Sequence, residues 1–145
     1  RDNARTPFQW NAEKNAGFTT GTPWLALNPN YTKINLSAEE NDPDSVLSFY
    51  KKLIKLRKDP EYSGIFVYGD FSPYLPDVHN CFAYKRTLGG RTILVIANYQ
   101  NGKKIYPLPG AVKKVLLTNT GAVNSDSNSI TLDGYQVVVA EMEEK

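Results

Sequence analysis

The 145-residue chain is long enough for one hydrophobic core, or for a helical segment followed by a small β-domain, and too short for a complete large enzyme. Its 41% apolar and 22% charged residues are ordinary for folded domains, and no apolar run approaches the roughly 18 residues of a membrane-spanning helix. The 17 basic and 15 acidic residues leave a scattered net charge of +2, which predicts neither a nucleic-acid nor a membrane partner.

Residues 1–41 predict an irregular segment rather than a regular element. They are rich in Gly, Pro and Asn and sustain neither the helical nor the strand period. They also carry five aromatic side chains: Phe8, Trp10, Phe18, Trp24 and Tyr31. Because so much aromatic area is costly to leave in water, we expect this segment to pack on a larger partner surface.

An amphipathic helix is predicted over residues 42–59. Six side chains fall on one face at helical spacing: Val46, Phe49, Tyr50, Leu53, Ile54 and Arg57. Asp42 is the expected N-cap and Pro43 suits the first turn. Pro60 prevents the helix from continuing.

Beyond Pro60 the pattern predicts strands. The β-type runs are 65–68, 81–87, 92–97, 104–108, 112–117, 129–132 and 135–142. Gly89-Gly90 predicts a hairpin, Asn101-Gly102 and Asp133-Gly134 predict tight turns, and residues 124–129 a polar loop. Strands at this spacing favour an antiparallel β-sandwich of about 80 residues, so the fold class is mainly β.

The chain offers few residues for metal or nucleophilic chemistry. His79 is the single histidine and lies in a polar stretch, so we expect a solvated loop residue rather than a triad member or a metal ligand. Cys81 is the single cysteine, expected to be a buried inert thiol, which fits a cytoplasmic protein. No phosphate-binding glycine motif or C-x-x-C occurs, so neither a cofactor nor a metal is predicted.

No pair of acids is predicted to be catalytic. Glycoside hydrolysis requires two carboxylates roughly 5 to 9 Å apart. The clustered acids lie at expected helix starts, in loops or in the tail: Glu39, Glu40, Asp42, Asp44, Asp70, Asp77, Glu141, Glu143 and Glu144. We expect each of them to be a cap or a solvated surface charge.

Residues 1–10 are the densest candidate for a binding function. Arg1 and Arg5 flank Asp2 and precede a stretch that alternates aromatic and polar side chains. Arginine binds carboxylates in a bidentate geometry, and tryptophan faces favour the apolar faces of sugar rings. The alternative is that Arg1 and Arg5 form structural ion pairs while Trp10 fills a core.

The chain resembles the oligo-1,6-glucosidase branch of the α-amylase family along its whole length. The segments that carry the resemblance are R-D-N-A-R-T-P-F-Q-W at 1–10, N-A-G-F-T-T-G at 15–21, P-W at 23–24, N-P-N-Y at 28–31, I-N at 34–35, S-V-L-S-F-Y-K-K-L-I-K-L-R-K at 45–58, V-Y-G-D at 67–70, F-A-Y at 82–84 and L-V-I-A-N at 94–98. The first 60 residues are more specific than the rest.

The resemblance implies the C-terminal part of a retaining α-glucosidase, acting on α-linked oligosaccharides. Residues 1–60 would be the end of the catalytic (β/α)8 barrel, with its last loop and eighth helix, and residues 61–145 the C-terminal antiparallel β-domain. The family's catalytic carboxylates precede the R-D-N-A-R motif, so this chain would be inactive without the remainder of the barrel. Position 1 is Arg, without an initiator Met or signal-like segment, which also predicts a longer or processed protein.

Site residues are also implied by the resemblance. Arg1 matches the arginine that closes the end of the glucose pocket by pairing with an Asp from an early barrel loop. Arg5 is the second candidate for substrate binding, with a structural role as the alternative. Sucrose isomerases and trehalose-6-phosphate hydrolases share much of the motif and remain open alternatives. A purely structural or sugar-binding β-module is another alternative, for which Tyr68, Tyr74, Tyr99 and Tyr106 are candidates unless strand packing accounts for them.

Overall fold

The computed structural model describes residues 2–143, except for the side chain of Asn3. The backbone divides into two compact units, the first ending at Lys51 and the second beginning at Lys52. No helix within the described residues is long and apolar enough to cross a membrane.

Single turns and one short helix build the first unit. The 3-10 turns are Asp2–Arg5, Lys14–Gly17 and Pro29–Thr32, and helix α1 spans Leu36–Glu40. The α1 helix was not predicted, because its five residues are too few for a periodic pattern. Its N-cap is Asn35, whose Oδ1 accepts the Ala38 amide at 3.0 Å while its Nδ2 donates to the Tyr31 carbonyl at 2.8 Å.

The predicted amphipathic helix is α2, Val46–Lys58, which crosses the division between the units. Its cap is Ser45 rather than Asp42, because the Ser48 amide donates to Ser45 Oγ at 3.1 Å. The carboxylate of Glu39 accepts the next free amide, that of Leu47, at 2.9 Å. Asp42 instead accepts the amide two residues further on, an Asx turn that delays the helix start.

Residues 65–68 are helical, so the strand predicted there is wrong. They belong to α3, Ser63–Tyr68. Their side chains have high strand propensity, but Ile65 is buried in a cluster with Tyr62, Ile93 and Val139, and this packing outweighs local preference. The Gly69 amide closes the helix on the Ile65 carbonyl at 3.0 Å.

The second unit contains two antiparallel sheets, which confirms the predicted mainly β class. The larger has the order β1 (Asp70–Tyr74), β2 (Cys81–Leu88), β3 (Arg91–Asn98), β8 (Val137–Met142) and β5 (Val112–Thr118). The smaller has the order β4 (Lys104–Pro107), β7 (Ser129–Leu132) and β6 (Asn124–Ser125). Gly89 and Gly90 join β2 and β3 in the predicted hairpin.

Two strands were missed because their composition is atypical. The first is β1, an edge strand that contains Pro73, a residue that weakens any strand pattern. The second is β6, two residues at the edge of the small sheet, within the segment predicted as a loop. The opposite edge of the large sheet is β5, whose register against β8 shifts between Val112 and Lys114 and between Val115 and Leu117.

Both faces of the large sheet are covered near its centre. Leu94, Ile96 and Val138 face the small sheet, where they meet Ile130 and Leu132 in the main core. The alternate side chains face the other way, and Ile93 and Val139 pack there against Tyr62 and Ile65. This alternation follows the period of the extended chain.

A buried polar network joins the loops at one end of the sandwich. Asn98 donates from Nδ2 to the carbonyls of Gly102 at 2.8 Å and Asp133 at 2.9 Å, and accepts the Tyr106 hydroxyl at 2.9 Å. Its position fixes the Asn101-Gly102 bend against the turn at Gly134. A Cβ added at Gly134 would lie 2.6 Å from the Gly102 backbone nitrogen.

We therefore expect Gly134→Ala to destabilise the second unit, because the two loops would have to separate. The expected loss is about 1–3 kcal/mol, measured as a lower midpoint of thermal unfolding. Gly64→Ala is the matched control, because its added Cβ would meet only Leu88 at 3.7 Å, an ordinary contact. Equal midpoints for the two variants would contradict the prediction.

Candidate functional site

Of the two predicted substrate-binding residues, Arg1 lies outside the described residues and Arg5 is exposed at the end of the first 3-10 turn. The Arg5 guanidinium carbon lies 5.2 Å from the centre of the Trp24 ring, a cation–π contact. Trp24 is itself 79% exposed. The structure thus brings together two residues from distant parts of the segment at its surface.

Trp10 does not fill a core within the described residues. It is about half exposed, as is Phe8, and their rings meet edge to face with centres 4.7 Å apart. Phe18 is similarly exposed, whereas Tyr31 is half-buried. The segment keeps most of its aromatic area on the surface, as expected of chain that packs on a larger body.

Backbone contacts nevertheless hold this segment in one shape. Gln9 donates from Nε2 to the Ile34 carbonyl, and the Leu36 amide donates to the Gln9 carbonyl at 2.9 Å. Asn15 donates from Nδ2 to the carbonyls of Thr19 at 3.0 Å and Gly21 at 2.7 Å. Hydrogen bonds within the segment therefore fix the backbone that carries the exposed aromatic side chains.

An apolar groove of about 560 Å³ lies in the first unit. Its walls include Pro7, Phe8, Val46, Leu47 and Tyr50. The only carboxylate in its lining is Glu39, which is already bonded to the Leu47 amide. Because this carboxylate already accepts a helix amide, it is not available for acid–base chemistry. The groove is therefore better suited to packing than to catalysis.

Glu141 is buried, so the expectation that it is a surface charge is wrong. Its side chain is 3% exposed and accepts from Arg91 Nε at 2.9 Å and from Lys113 Nζ at 3.2 Å. Arg91 reaches outward to Glu61 at 3.3 Å and lies over the Tyr62 ring. This ion pair was not predicted from the sequence, because Arg91 and Lys113 are distant from Glu141 along the chain.

These contacts give Glu141 a structural role in a buried ion pair. Chiefly through the Arg91 hydrogen bond, the pKa of Glu141 is held below its ordinary value although burial acts to raise it. The same bond raises the pKa of Arg91. A general acid in glycoside hydrolysis requires a raised pKa, so Glu141 is unsuited to that role.

The pKa shift predicts the acid sensitivity of the second unit. A carboxylate whose folded pKa is depressed contributes stability that is present above its ordinary pKa and lost as pH falls through the folded value. We expect the unfolding midpoint to decline below about pH 4.5. Glu141→Gln should lower stability at pH 7 by about 3–5 kcal/mol and flatten the acid decline, since the Arg91 and Lys113 charges lose their partner.

Thermal unfolding between pH 3 and pH 7 measures both effects. Glu143→Gln, at an exposed position two residues along the chain, is the control and should retain the wild-type curve. An unchanged curve for Glu141→Gln would contradict the assignment of this buried ion pair.

The single histidine and the single cysteine lie in different surroundings. His79 is exposed in the connection between β1 and β2, as expected. Cys81 is half-buried beside the main core, and burial raises the pKa of its thiol, which lowers its nucleophilicity. Among residues 2–143, no three His, Cys, Asp or Glu side chains are grouped to hold a metal ion.

The tyrosines considered for sugar binding divide into two classes. Tyr106 is buried and its hydroxyl donates to Asn98, while Tyr74 is half-buried and its hydroxyl donates to the Pro107 carbonyl at 3.1 Å. Strand packing accounts for both. Tyr68 and Tyr99 are exposed, so packing within the described chain does not account for them.

Family models match most of the chain. The model of the alpha amylase catalytic domain matches residues 1–65, and that of the alpha-amylase SusG C-terminal domain matches residues 81–139.

Individual relatives extend this similarity over nearly all of the chain. Oligo-1,6-glucosidase of Bacillus cereus is 43% identical over 96% of this chain and 25% of its own length. Glucan 1,6-alpha-glucosidase of Streptococcus pneumoniae serotype 4 is 47% identical over 84% of this chain and 22% of its own. The chain thus spans about a quarter of the length of these relatives.

A solved structure has the same fold. Isomaltulose synthase of Klebsiella sp. LX3 superposes with a TM-score of 0.91 at 41% identity, covering 98% of this chain and 26% of that one.

Proposed function

We propose that this chain, which belongs to the α-amylase family, is the C-terminal part of a retaining α-glucosidase that releases glucose from the non-reducing ends of α-1,6- and α-1,4-linked oligosaccharides. The observation that carries the proposal is the similarity to two glucosidases. The match to the catalytic-domain model over residues 1–65, which include the R-D-N-A-R segment, and the match to the C-terminal-domain model over residues 81–139 support it. In this proposal, residues 1–60 end the catalytic barrel and residues 61–145 form the C-terminal domain.

The chain alone is proposed to be inactive. The family's catalytic carboxylates precede the R-D-N-A-R motif, and the described acids whose pKa is lowered, Asp126 and Glu141, are held by hydrogen bonds from neighbouring groups. Its partner is the remainder of the barrel, on which the exposed aromatics of the first unit and the apolar groove would pack. The half-buried single thiol also suits a reducing compartment, so we place the parent enzyme in the cytoplasm.

Arg1 and Arg5 have different proposed roles. Arg1 would form a bidentate pair with a carboxylate of an early barrel loop and close the far end of the pocket, so that only a terminal glucose fits. Arg5 would hold Trp24 through the observed cation–π contact and so shape the loop beside the pocket.

The first experiment compares two proteins on p-nitrophenyl α-glucoside. We expect the product of a longer reading frame, with the preceding barrel, to release p-nitrophenol, and the purified 145-residue chain to release none above background. Hydrolysis by the chain alone would overturn the proposal, because a carboxylate pair assigned to caps and surfaces would then be catalytic.

Natural substrates separate the α-glucosidase from its alternatives. The motif shared with sucrose isomerases and trehalose-6-phosphate hydrolases, and the structural similarity to isomaltulose synthase, make sucrose and trehalose 6-phosphate necessary tests. We expect isomaltose and maltose to be cleaved by the longer protein. Conversion of sucrose to an isomer without net glucose release, or preference for trehalose 6-phosphate, would support one of the alternatives instead.

Substitutions in the longer protein test the two arginines. Arg1→Lys keeps the charge but removes bidentate geometry, so kcat/KM for maltose should fall about 10- to 100-fold. For Arg5→Lys we expect a smaller fall in kcat/KM, because a lysine retains part of the cation–π contact with Trp24. For Arg5→Ala, which removes that contact, kcat/KM should be lower than for Arg5→Lys. Lys33→Ala, an exposed charge in the same unit, is the control and should leave kcat/KM unchanged. An Arg1→Lys enzyme with wild-type kcat/KM would refute the pocket-closing role.

A further inference from the structure

An exposed Asn-Gly pair lies in the connection from β3 to β4, where the chain passes from the large sheet to the small one. Both of its residues, Asn101 and Gly102, are exposed. Asn101 is the only asparagine in the sequence that is followed by glycine. The following residue matters because glycine has no Cβ to shield its own amide nitrogen from the side chain before it.

The peptide group between these two residues is not held by hydrogen bonds. In the part of the chain that the structure describes, neither the Asn101 side chain nor the Gly102 amide has a hydrogen-bond partner. The backbone is fixed only on either side. The Gln100 carbonyl accepts the Tyr135 amide at 3.2 Å, and the Gly102 carbonyl accepts Asn98 Nδ2 at 2.8 Å. The Gly102 nitrogen can therefore approach the side-chain carbonyl carbon of Asn101 without breaking a hydrogen bond of its own.

We propose that Asn101 is a site of spontaneous deamidation through a cyclic succinimide, with water as the only co-reactant. The Gly102 nitrogen bonds to Cγ of Asn101, and the bond from Cγ to Nδ2 breaks. Nδ2 leaves as ammonia and takes the proton that the Gly102 nitrogen gives up. Water then opens the ring at one of its two carbonyl carbons. Opening at Cγ leaves aspartate, and opening at the backbone carbonyl carbon leaves isoaspartate, whose main chain runs through Cγ.

The facing Asp133-Gly134 pair has the contacts that the Asn-Gly pair lacks. The Asp133 carboxylate pairs with Lys103 Nζ at 3.2 Å. Its amide donates to Gln136 Oε1 at 2.9 Å, and its carbonyl accepts Asn98 Nδ2 at 2.9 Å. The negative charge of a carboxylate also makes its carbon a poor target for an attacking nitrogen. Asp133 can form the same ring in principle, and we expect it to stay unmodified, so it is the internal reference.

The other asparagines do not combine a free side chain with a following glycine. Asn28 precedes Pro29, whose nitrogen carries no proton to give up. Each of the rest precedes a residue with a Cβ. Several also use their Nδ2 as a hydrogen-bond donor to a backbone carbonyl, namely Asn15, Asn35, Asn41, Asn98 and Asn119. Deamidation should therefore begin at Asn101.

Isoaspartate at this position adds a main-chain carbon where two loops are in close contact. A Cβ built on Gly134 would lie 2.6 Å from the Gly102 nitrogen and 3.4 Å from Cα of Asn101. A longer main chain must therefore move away from Gly134 and weaken the bond between Asn98 and the Gly102 carbonyl. The new carboxylate also lowers the net charge of +2 by one unit.

The test incubates the purified chain in mildly alkaline buffer and follows each asparagine by peptide mapping and mass spectrometry. We expect aspartate and isoaspartate to appear at Asn101, with the isoaspartate labelled by protein L-isoaspartate O-methyltransferase. Asn101→Gln is the matched control, because its longer side chain closes a larger ring that forms more slowly. In Gly102→Ala the reaction should be at least about tenfold slower, because backbone conformations open to glycine cost a residue with a Cβ about that factor.

Melting of the separated products tests the effect on the fold. Ion exchange isolates the deamidated chain by its lower net charge, and the isoaspartate form should melt at least about 4 °C below the unmodified chain. Asn101→Asp is the control for charge, because it carries the new carboxylate on a main chain of normal length and should keep the wild-type melting temperature. Equal melting of the isoaspartate form and the unmodified chain would contradict the close contact with Gly134.

Three results would overturn the proposed modification. One is an Asn101 that remains intact while another asparagine deamidates first. Another is isoaspartate at Asp133 at an equal rate, which would mean that hydrogen bonds and ion pairing do not decide the site. The third is modification of the 145-residue chain alone, with Asn101 intact in the longer protein incubated in parallel. The reaction needs no substrate, so a longer protein without glucosidase activity would refute the proposed function and leave this test intact.

Discussion

The fold of the second unit depends on covering both faces of one sheet. Its central strands β3 and β8 carry apolar side chains in both directions, so neither face can be left to water. The small sheet covers one face, and the chain around Tyr62 and Ile65 covers part of the other. This second requirement explains why residues that would otherwise be a linker form a packed helix.

The same requirement separates what the sequence predicted from what it did not. Alternation and glycine turns are local signals, so the sequence predicted strands β2, β3 and β7 and the hairpin between β2 and β3. Residues 65–68 look equally strand-like, but their conformation is set by contacts with Ile93 and Val139, which no local pattern contains. Ser45 replaced Asp42 as the cap for a local reason, because the Asp42 carboxylate accepts the Asp44 amide in an Asx turn.

The candidate site remains a prediction from a motif, and its geometry could not be derived from the sequence. The R-D-N-A-R segment directs attention to Arg5, yet its contact with Trp24 depends on a loop whose path is fixed by Asn15 and by backbone bonds. Glu141 is the converse case. Its position beside the chain end suggested a solvated charge, whereas strand β8 carries it inward to Arg91 and Lys113. Side chains acquire their roles here from partners distant in sequence.

Both edges of the large sheet are unsuited to accepting another strand. Pro73 has no amide proton to donate along β1, and the two register shifts in β5 bend an edge that also bears Lys113 and Lys114. Added strands require a straight row of free amides and carbonyls, and lysines repel a second basic edge. The β-domain is therefore protected against aggregation by edge-to-edge sheet growth.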